Sequence, residues 1–77
     1  MKKFDGKKLR ECRLRAGFTG RDLGVQMYLH GGRKGPAARQ EISDYEIGEV
    51  NPNANSLAVL ARIFSVPVDA FFSDESE

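Results

Sequence analysis

The sequence has few of the features that stabilise or anchor other small proteins. It contains a single cysteine, Cys12, and no tryptophan, and its only histidine, His30, lies in a glycine-rich stretch. An internal disulfide is therefore excluded, and no group of cysteines and histidines has the spacing of a metal site. The longest purely apolar run, residues 57–61, is far shorter than the about 20 residues of a membrane span. These absences favour a reduced, cytoplasmic protein without a metal or other cofactor.

The length of the chain limits it to one domain. Its 77 residues are too few for a two-domain enzyme, and a chain of this size buries only about 60% of the surface that it exposes when unfolded. We expect a single domain over residues 1–77, with its core within 6–72. An enzyme is not expected, because no catalytic partner is placed around His30. Cys12 fits a small core residue better than a redox sensor.

Charge is distributed unevenly along the chain, although the net charge is only +1. Residues 1–40 hold 11 of the 12 lysines and arginines and 3 acidic residues, a balance of +8. Residues 41–77 hold 1 arginine and 8 acidic residues, a balance of −7. Such asymmetry indicates one face that meets a polyanion and another that is acidic. The alternative is that the two halves interleave in the fold and their fields cancel.

The spacing of apolar residues predicts an all-α domain of five short helices with no β-strand. The stripes and caps behind this prediction are Leu9, Cys12 and Ala16 after a cap at Asp5; Leu23 and Met27 after a cap at Thr19; Ala38, Ile42 and Tyr45; Leu57, Leu60, Ala61 and Phe64 after a cap at Asn53 or Asn55; and Phe71 with Phe72 in a last helix near Pro67. Gly17 and Gly48 should end the first and third helices. Gly24, inside the second helix, favours close packing against another backbone. Residues 28–36 are predicted to form a loop and residues 73–77 a solvated tail.

Four segments together resemble the lambda-repressor-like helix-turn-helix domains of the Cro/CI or XRE family. They are KKLRECRLRAGF (7–18), TGRDLGVQM (19–27), RQEISDYEIGEVNPN (39–53) and SLAVLARIFSVPVDAFF (56–72). The last two are the specific ones, because Ile42, Glu46, Gly48 and Pro52 precede a leucine-rich helix and a Val-x-Val-x-x-Phe ending. The resemblance implies a compact five-helix fold whose third helix enters the major groove of DNA.

The resemblance also implies a role for individual residues. The predicted base contacts are Arg39, Gln40, Glu41, Ser43 and Asp44, since arginine matches guanine, glutamine matches adenine, and a carboxylate accepts from the cytosine amino group. The predicted phosphate contacts are Thr19, Gly20 and Arg21 at the start of the second helix and Arg33 and Lys34 in the loop. Arg13 and Glu46 match a structural ion pair of the family, which would tie the first helix to the third.

The sequence departs from the family pattern at two places. Residues 28–36 replace a tight turn of about three residues, and this insertion is either a wing that lays Arg33 and Lys34 along phosphates or a loop without contacts. Acidic residues also crowd the third helix, and Glu49 with Val50 stands where phosphate-binding cations are common in the family. Other segments must then supply the attraction, or DNA contact is weak or discriminating, or the surface meets a protein.

These observations predict a DNA-binding transcriptional regulator, most simply a repressor that occludes a promoter. The resemblance implies a homodimer joined through Val66, Val68 and Phe71 or Phe72, and the short remaining chain suggests that it forms only on DNA. The alternative is a protein-interaction module, such as an antitoxin or anti-regulator, that uses the same fold to bind a protein through the acidic third helix.

Overall fold

The computed structural model describes residues 2–74, which form four α-helices, one 3-10 helix and a two-stranded sheet. In chain order these are β1 (Lys2–Phe4), α1 (Gly6–Arg15), α2 (Gly20–Gly31), α3 (Arg39–Ile47), α4 (Ala54–Phe64), the 3-10 helix (Val68–Phe71) and β2 (Phe72–Asp74). The prediction of a helical domain is therefore confirmed, but the predictions of five α-helices and of no β-strand were wrong. No helix within residues 2–74 is long and apolar enough to cross a membrane.

Side-chain caps start three of the four α-helices at the predicted residues. The Asp5 carboxylate accepts from the N–H of Lys7 over 3.0 Å and begins α1. Thr19 and Asp22 form a reciprocal capping box at α2, with distances of 2.9 and 3.0 Å. At α4 the cap is Asn53, whose side chain accepts from the Ser56 N–H over 2.8 Å. These caps satisfy backbone groups that would otherwise have no partner at the helix start.

The loop after α2 is shorter than the sequence predicts. Residues 28–31 continue α2, and the helix ends where Gly32 adopts a left-handed conformation with φ of 68°. Arg62 of α4 donates to the carbonyl oxygen of His30 over 2.8 Å and satisfies one backbone group of the last turn. The glycine-rich composition therefore marked the end of the helix rather than a loop beginning at Tyr28, and the connection to α3 comprises residues 32–38.

The two strands join the ends of the described chain. They run antiparallel with Lys3 opposite Ser73, and the rings of Phe4 and Phe72 pack edge to face with centroids 6.1 Å apart. Ser73 also donates to the Asp5 carboxylate over 2.7 Å. Strands of three residues are too short to show alternation in a sequence. Part of the predicted tail is thus ordered in β2, and residues 75–77 lie outside the described part of the chain.

A small apolar core lies between the helices and the sheet. Its buried members are Phe4, Leu9, Leu23, Met27, Ala37, Ile42, Tyr45, Leu60, Ala61 and Phe71. Phe71 is 0% exposed and its ring packs against that of Phe64, with centroids 6.3 Å apart. Phe71 therefore cannot contribute to a dimer interface, although the sequence analysis had allowed it that role. Ala16, predicted to face the core, is exposed, because α1 ends at Arg15.

Gly24 allows α2 to approach the segment before α3 closely. A β-carbon at position 24 would overlap the carbonyl oxygen of Ala37, and the Gly24 carbonyl accepts from the Ala37 N–H over 3.1 Å. The expected close packing at this glycine is confirmed. The absence of a methyl group therefore lets α2 lie close to the segment before α3.

Replacing Gly24 with alanine should lower the free energy of unfolding by about 1 to 3 kcal/mol, because the new methyl group overlaps backbone that cannot easily move. Gly20→Ala is the matched control, since a β-carbon at position 20 meets no atom within 4 Å. It should leave stability unchanged or raise it by up to about 1 kcal/mol. Urea denaturation measures both variants, and a G24A protein as stable as G20A would disprove the close approach.

Candidate functional site

The exposed side of α3 carries three of the predicted base contacts. Arg39, Gln40 and Ser43 are exposed, whereas Ile42 and Tyr45 are buried, with 1% and 5% of their surfaces accessible. The two buried residues are one turn apart and fix one stripe of α3 in the core. The helix therefore presents guanidinium, amide and hydroxyl groups to solvent from a firmly packed base.

Gln40 and Asp44 are joined to each other across one turn of α3. The Gln40 amide donates to the Asp44 carboxylate over 2.8 Å, and Asp44 is half-buried. The Asp44 carbonyl oxygen also accepts from the N–H groups of Glu49 and Val50 at 2.9 and 3.2 Å. Two predicted base contacts thus form one polar unit, in which the carboxylate orients the amide.

The start of α2 lies beside the start of α3. An open groove between them is lined by Arg21 and Val25 of α2 and by residues 36–39. Arg21 and Arg39 are both exposed, so two guanidinium groups line the same groove. Thr19, at the beginning of α2, is also exposed, although its hydroxyl oxygen accepts from the Asp22 N–H. The structure therefore brings a predicted phosphate contact and a predicted base contact together.

The side chains of Arg33 and Tyr45 bond to that of Glu41. We call these three residues the Glu41 cluster. Nη2 of Arg33 lies 3.0 and 3.1 Å from the two carboxylate oxygens, and the Tyr45 hydroxyl donates to Oε2 over 2.6 Å. Burial raises the pKa of Glu41, but the hydrogen bonds from Tyr45 and Arg33 outweigh it and hold the pKa below its ordinary value. Both oxygens already accept hydrogen bonds within the fold, which distinguishes Glu41 from the exposed Arg39, Gln40 and Ser43.

The two neighbouring cations of the loop have different environments. Arg33 is half-buried, and its Nη1 atom is buried without a hydrogen-bond partner within residues 2–74. Lys34 is exposed and forms no ion pair in the same part of the chain. Of the two phosphate contacts predicted in the loop, Arg33 is paired with Glu41, whereas Lys34 is exposed and forms no ion pair among residues 2–74.

The predicted bridge between Arg13 and Glu46 is confirmed. Nε and Nη2 of Arg13 donate to the two oxygens of Glu46 over 2.6 and 3.0 Å, and Nη1 donates to the Phe18 carbonyl over 2.9 Å. Only 13% of the Arg13 side chain and 8% of the Glu46 side chain are exposed. The hydrogen bond to Glu46 raises the pKa of Arg13 above its ordinary value. One guanidinium thus links α1, the segment before α2 and the end of α3.

Pairing lowers the negative charge that α3 presents to solvent. Glu41 and Glu46 are in ion pairs, and Asp44 accepts from an amide. Glu49, after the end of the helix, is exposed. Two of the four acidic residues that crowd this region in the sequence are therefore already neutralised inside the fold.

The sequence did not identify Tyr45 as part of the site and misplaced His30. Glu41 and Tyr45 are four residues apart, the spacing at which helical side chains meet, so this contact could have been found. His30 lies in α2 rather than in the loop. No group of three or more metal-binding side chains occurs within residues 2–74.

Replacing Glu46 with glutamine should lower the free energy of unfolding by about 3 kcal/mol, because the substitution leaves the charge of Arg13 buried without a counter-ion. Glu49→Gln is the matched control, since Glu49 is exposed. Urea denaturation at neutral pH measures both variants. Equal midpoints for E46Q and E49Q would show that the bridge does not stabilise the fold.

Glu41 should titrate below the ordinary range of glutamate, and NMR of its carboxyl carbon measures the midpoint. Because the pKa is lower in the folded than in the unfolded chain, its contribution to stability is fully present above the unfolded value of about 4.5. That contribution is lost as the pH falls through the folded pKa. Arg33→Gln should raise the midpoint, and a wild-type midpoint at or above the ordinary value would contradict the Glu41 cluster.

No protein-family model matches the chain, and neither a curated protein nor a solved structure does. The function proposed below therefore depends on the geometry and the charges of the site.

Proposed function

We propose that the chain binds double-stranded DNA sequence-specifically and represses transcription by occupying a promoter. The observation that carries this proposal is the exposure of Arg39, Gln40 and Ser43 on a helix whose opposite side is buried. Arginine and glutamine can each make two hydrogen bonds to a purine in the major groove, worth about 1 to 3 kcal/mol of discrimination per pair. A helix fixed by Ile42 and Tyr45 can hold these side chains in one orientation, which base recognition requires.

Phosphate contacts would flank this helix on two sides. Arg21 shares a groove with Arg39, and the start of α2 at Thr19 and Gly20 can direct backbone N–H groups towards an anion. Lys34 supplies a second exposed cation from the loop. Such contacts set the register of the helix on the duplex but carry no sequence information themselves.

Dimerisation would place two copies of α3 about 34 Å apart on a two-fold site. Phe71 is unavailable for such an interface because it lies in the core, and Phe72 packs on Phe4. Val68, which is 38% exposed, and the half-buried Val66 remain as apolar residues near the end of the chain. We propose a small interface there that closes only when both copies are bound to one duplex.

A second candidate function is binding of a protein partner by the end of α3. Ile47 and Val50 are 67% and 49% exposed and flank the exposed Glu49. Exposed apolar side chains beside a carboxylate fit a basic, partly apolar protein surface better than DNA. An antitoxin or anti-regulator would use such a surface, and its affinity would depend on Ile47 and Val50 rather than on Arg39.

Selection of duplexes from a random pool, carried out at two salt concentrations, tests the proposed function. A common sequence should be enriched, and its affinity should fall linearly with the logarithm of salt concentration because bound cations displace counter-ions from phosphates. Arg39→Ala should reduce the preference for the selected duplex by a factor of about 5 to 150. Arg10→Ala is the matched control, because Arg10 is an exposed arginine of α1 that lines neither the groove of Arg21 and Arg39 nor the pocket beside Val66.

Fluorescence anisotropy with labelled duplexes measures these affinities. Failure to enrich any sequence, or equal effects of R39A and R10A, would overturn the proposal of base recognition through α3. If Ile47→Ser instead abolishes binding to a protein while R39A does not affect it, the second candidate function is correct.

A further inference from the structure

The beginning of α2 is fixed by a capping box, and the beginning of α3 has no side-chain cap. In α2 the third helical residue, Asp22, accepts from the N–H of the capping residue Thr19. In α3 the capping residue is Ala38, which has no side chain that could accept a hydrogen bond, and the third helical residue is Glu41. The Glu41 side chain bonds to Arg33 and Tyr45 rather than to the backbone N–H of the capping residue. The first turn of α3 therefore has a side-chain attachment to the loop in place of a side-chain cap.

A helix of 9 residues such as α3 depends on tertiary contacts for its order. Its inner stripe is held by the core, and its end is held by the bridge from Glu46 to Arg13. Besides the backbone bonds of Glu41 and Ile42 to the Ala38 carbonyl, the described hydrogen bonds at its start are the contact between Ala37 and Gly24 and those of the Glu41 cluster. Arg33 is the only residue of the loop between α2 and α3 that contributes a side chain to them.

The guanidinium of Arg33 is engaged in contacts within the domain. Nη2 contacts both oxygens of Glu41, and Nη1 is buried. A phosphate could engage this group only if the contact with Glu41 were given up, which would leave a half-buried carboxylate close to a polyanion. Lys34, the next residue, forms no ion pair among residues 2–74 and is exposed. Arg33 therefore suits a structural role, and Lys34 suits a contact with phosphate.

We propose that Arg33 is a positioning residue: through Glu41 and Tyr45 the loop fixes the first turn of α3, and with it the side chains of Arg39 and Gln40. Arg33 then governs the sequence preference of the domain, while Lys34 contacts phosphate. This inference rests on the proposed function for its consequence in DNA binding, but the attachment of the helix to the loop does not require DNA.

Hydrogen exchange of the free protein tests the attachment. The N–H groups of Glu41 and Ile42 bond to the Ala38 carbonyl at 3.0 and 3.3 Å, and the Leu23 N–H makes the equivalent bond to Thr19 in α2 at 3.0 Å. Arg33→Ala should accelerate exchange at Glu41 and Ile42 by about tenfold, as expected for loss of a charged hydrogen bond, and leave Leu23 unchanged. Lys34→Ala should change none of the three. Equal acceleration at all three amides in R33A, or none, would overturn the proposal.

The selected duplex tests the consequence for recognition. R33A should reduce the ratio of affinities for the selected and a mismatched duplex without changing the salt slope, whereas K34A should lower the slope by about 1 and keep the ratio. In the double variant R33A/E41Q the ratio should fall no further than in R33A, because both substitutions break the same contact. A slope lowered in R33A as in K34A, with additive effects in the double variant, would identify Arg33 as a phosphate contact and contradict the proposal.

The two experiments separate the failure of this inference from that of the proposed function. If no duplex binds the wild-type protein, the proposed function fails, and selective exchange at Glu41 and Ile42 in R33A would still establish the attachment. If the wild type binds a selected duplex but R33A retains its full preference, the positioning role is wrong and the proposed function stands.

Discussion

The bridge between Arg13 and Glu46 is the contact on which the arrangement of the site depends. It lies almost fully out of solvent and joins α1, the segment before α2 and the end of α3 through one guanidinium. Together with Ile42 and Tyr45 in the core, this bridge holds α3 with its polar side facing solvent. In so small a domain, an ion pair can specify a helix orientation that the limited apolar area leaves less well defined.

Acidic residues on α3 are compatible with binding to a polyanion because the fold neutralises part of their charge. Glu46 pairs with Arg13 and Glu41 pairs with Arg33, so one cation comes from α1 and the other from the loop. The uneven distribution of charge along the sequence is therefore offset in part by pairing between its two halves.

The sequence predicted the features that depend on local chemistry. The caps at Asp5, Thr19 and Asn53 follow from hydrogen bonds within three residues, and Gly48 ends α3 at a left-handed φ of 86°. The bridge to Glu46 came from a family resemblance. What could not be predicted depends on distant contacts: β1 and β2 are too short to have a pattern, and the role of Arg33 depends on how the loop returns to α3. In the sequence, Arg33 and Lys34 are adjacent cations among glycines, and nothing there indicates that Arg33 is half-buried.

We propose that the polar side of α3 is the surface that meets DNA. NMR titration of the labelled protein with a selected duplex tests this proposal most directly, because each backbone and side-chain amide reports its own environment. We expect the largest shifts at Arg39, Gln40 and Ser43, with further shifts at Arg21 and few in β1 and β2. Shifts centred on Ile47 and Val50, or on the sheet, with α3's first turns unaffected, would contradict it.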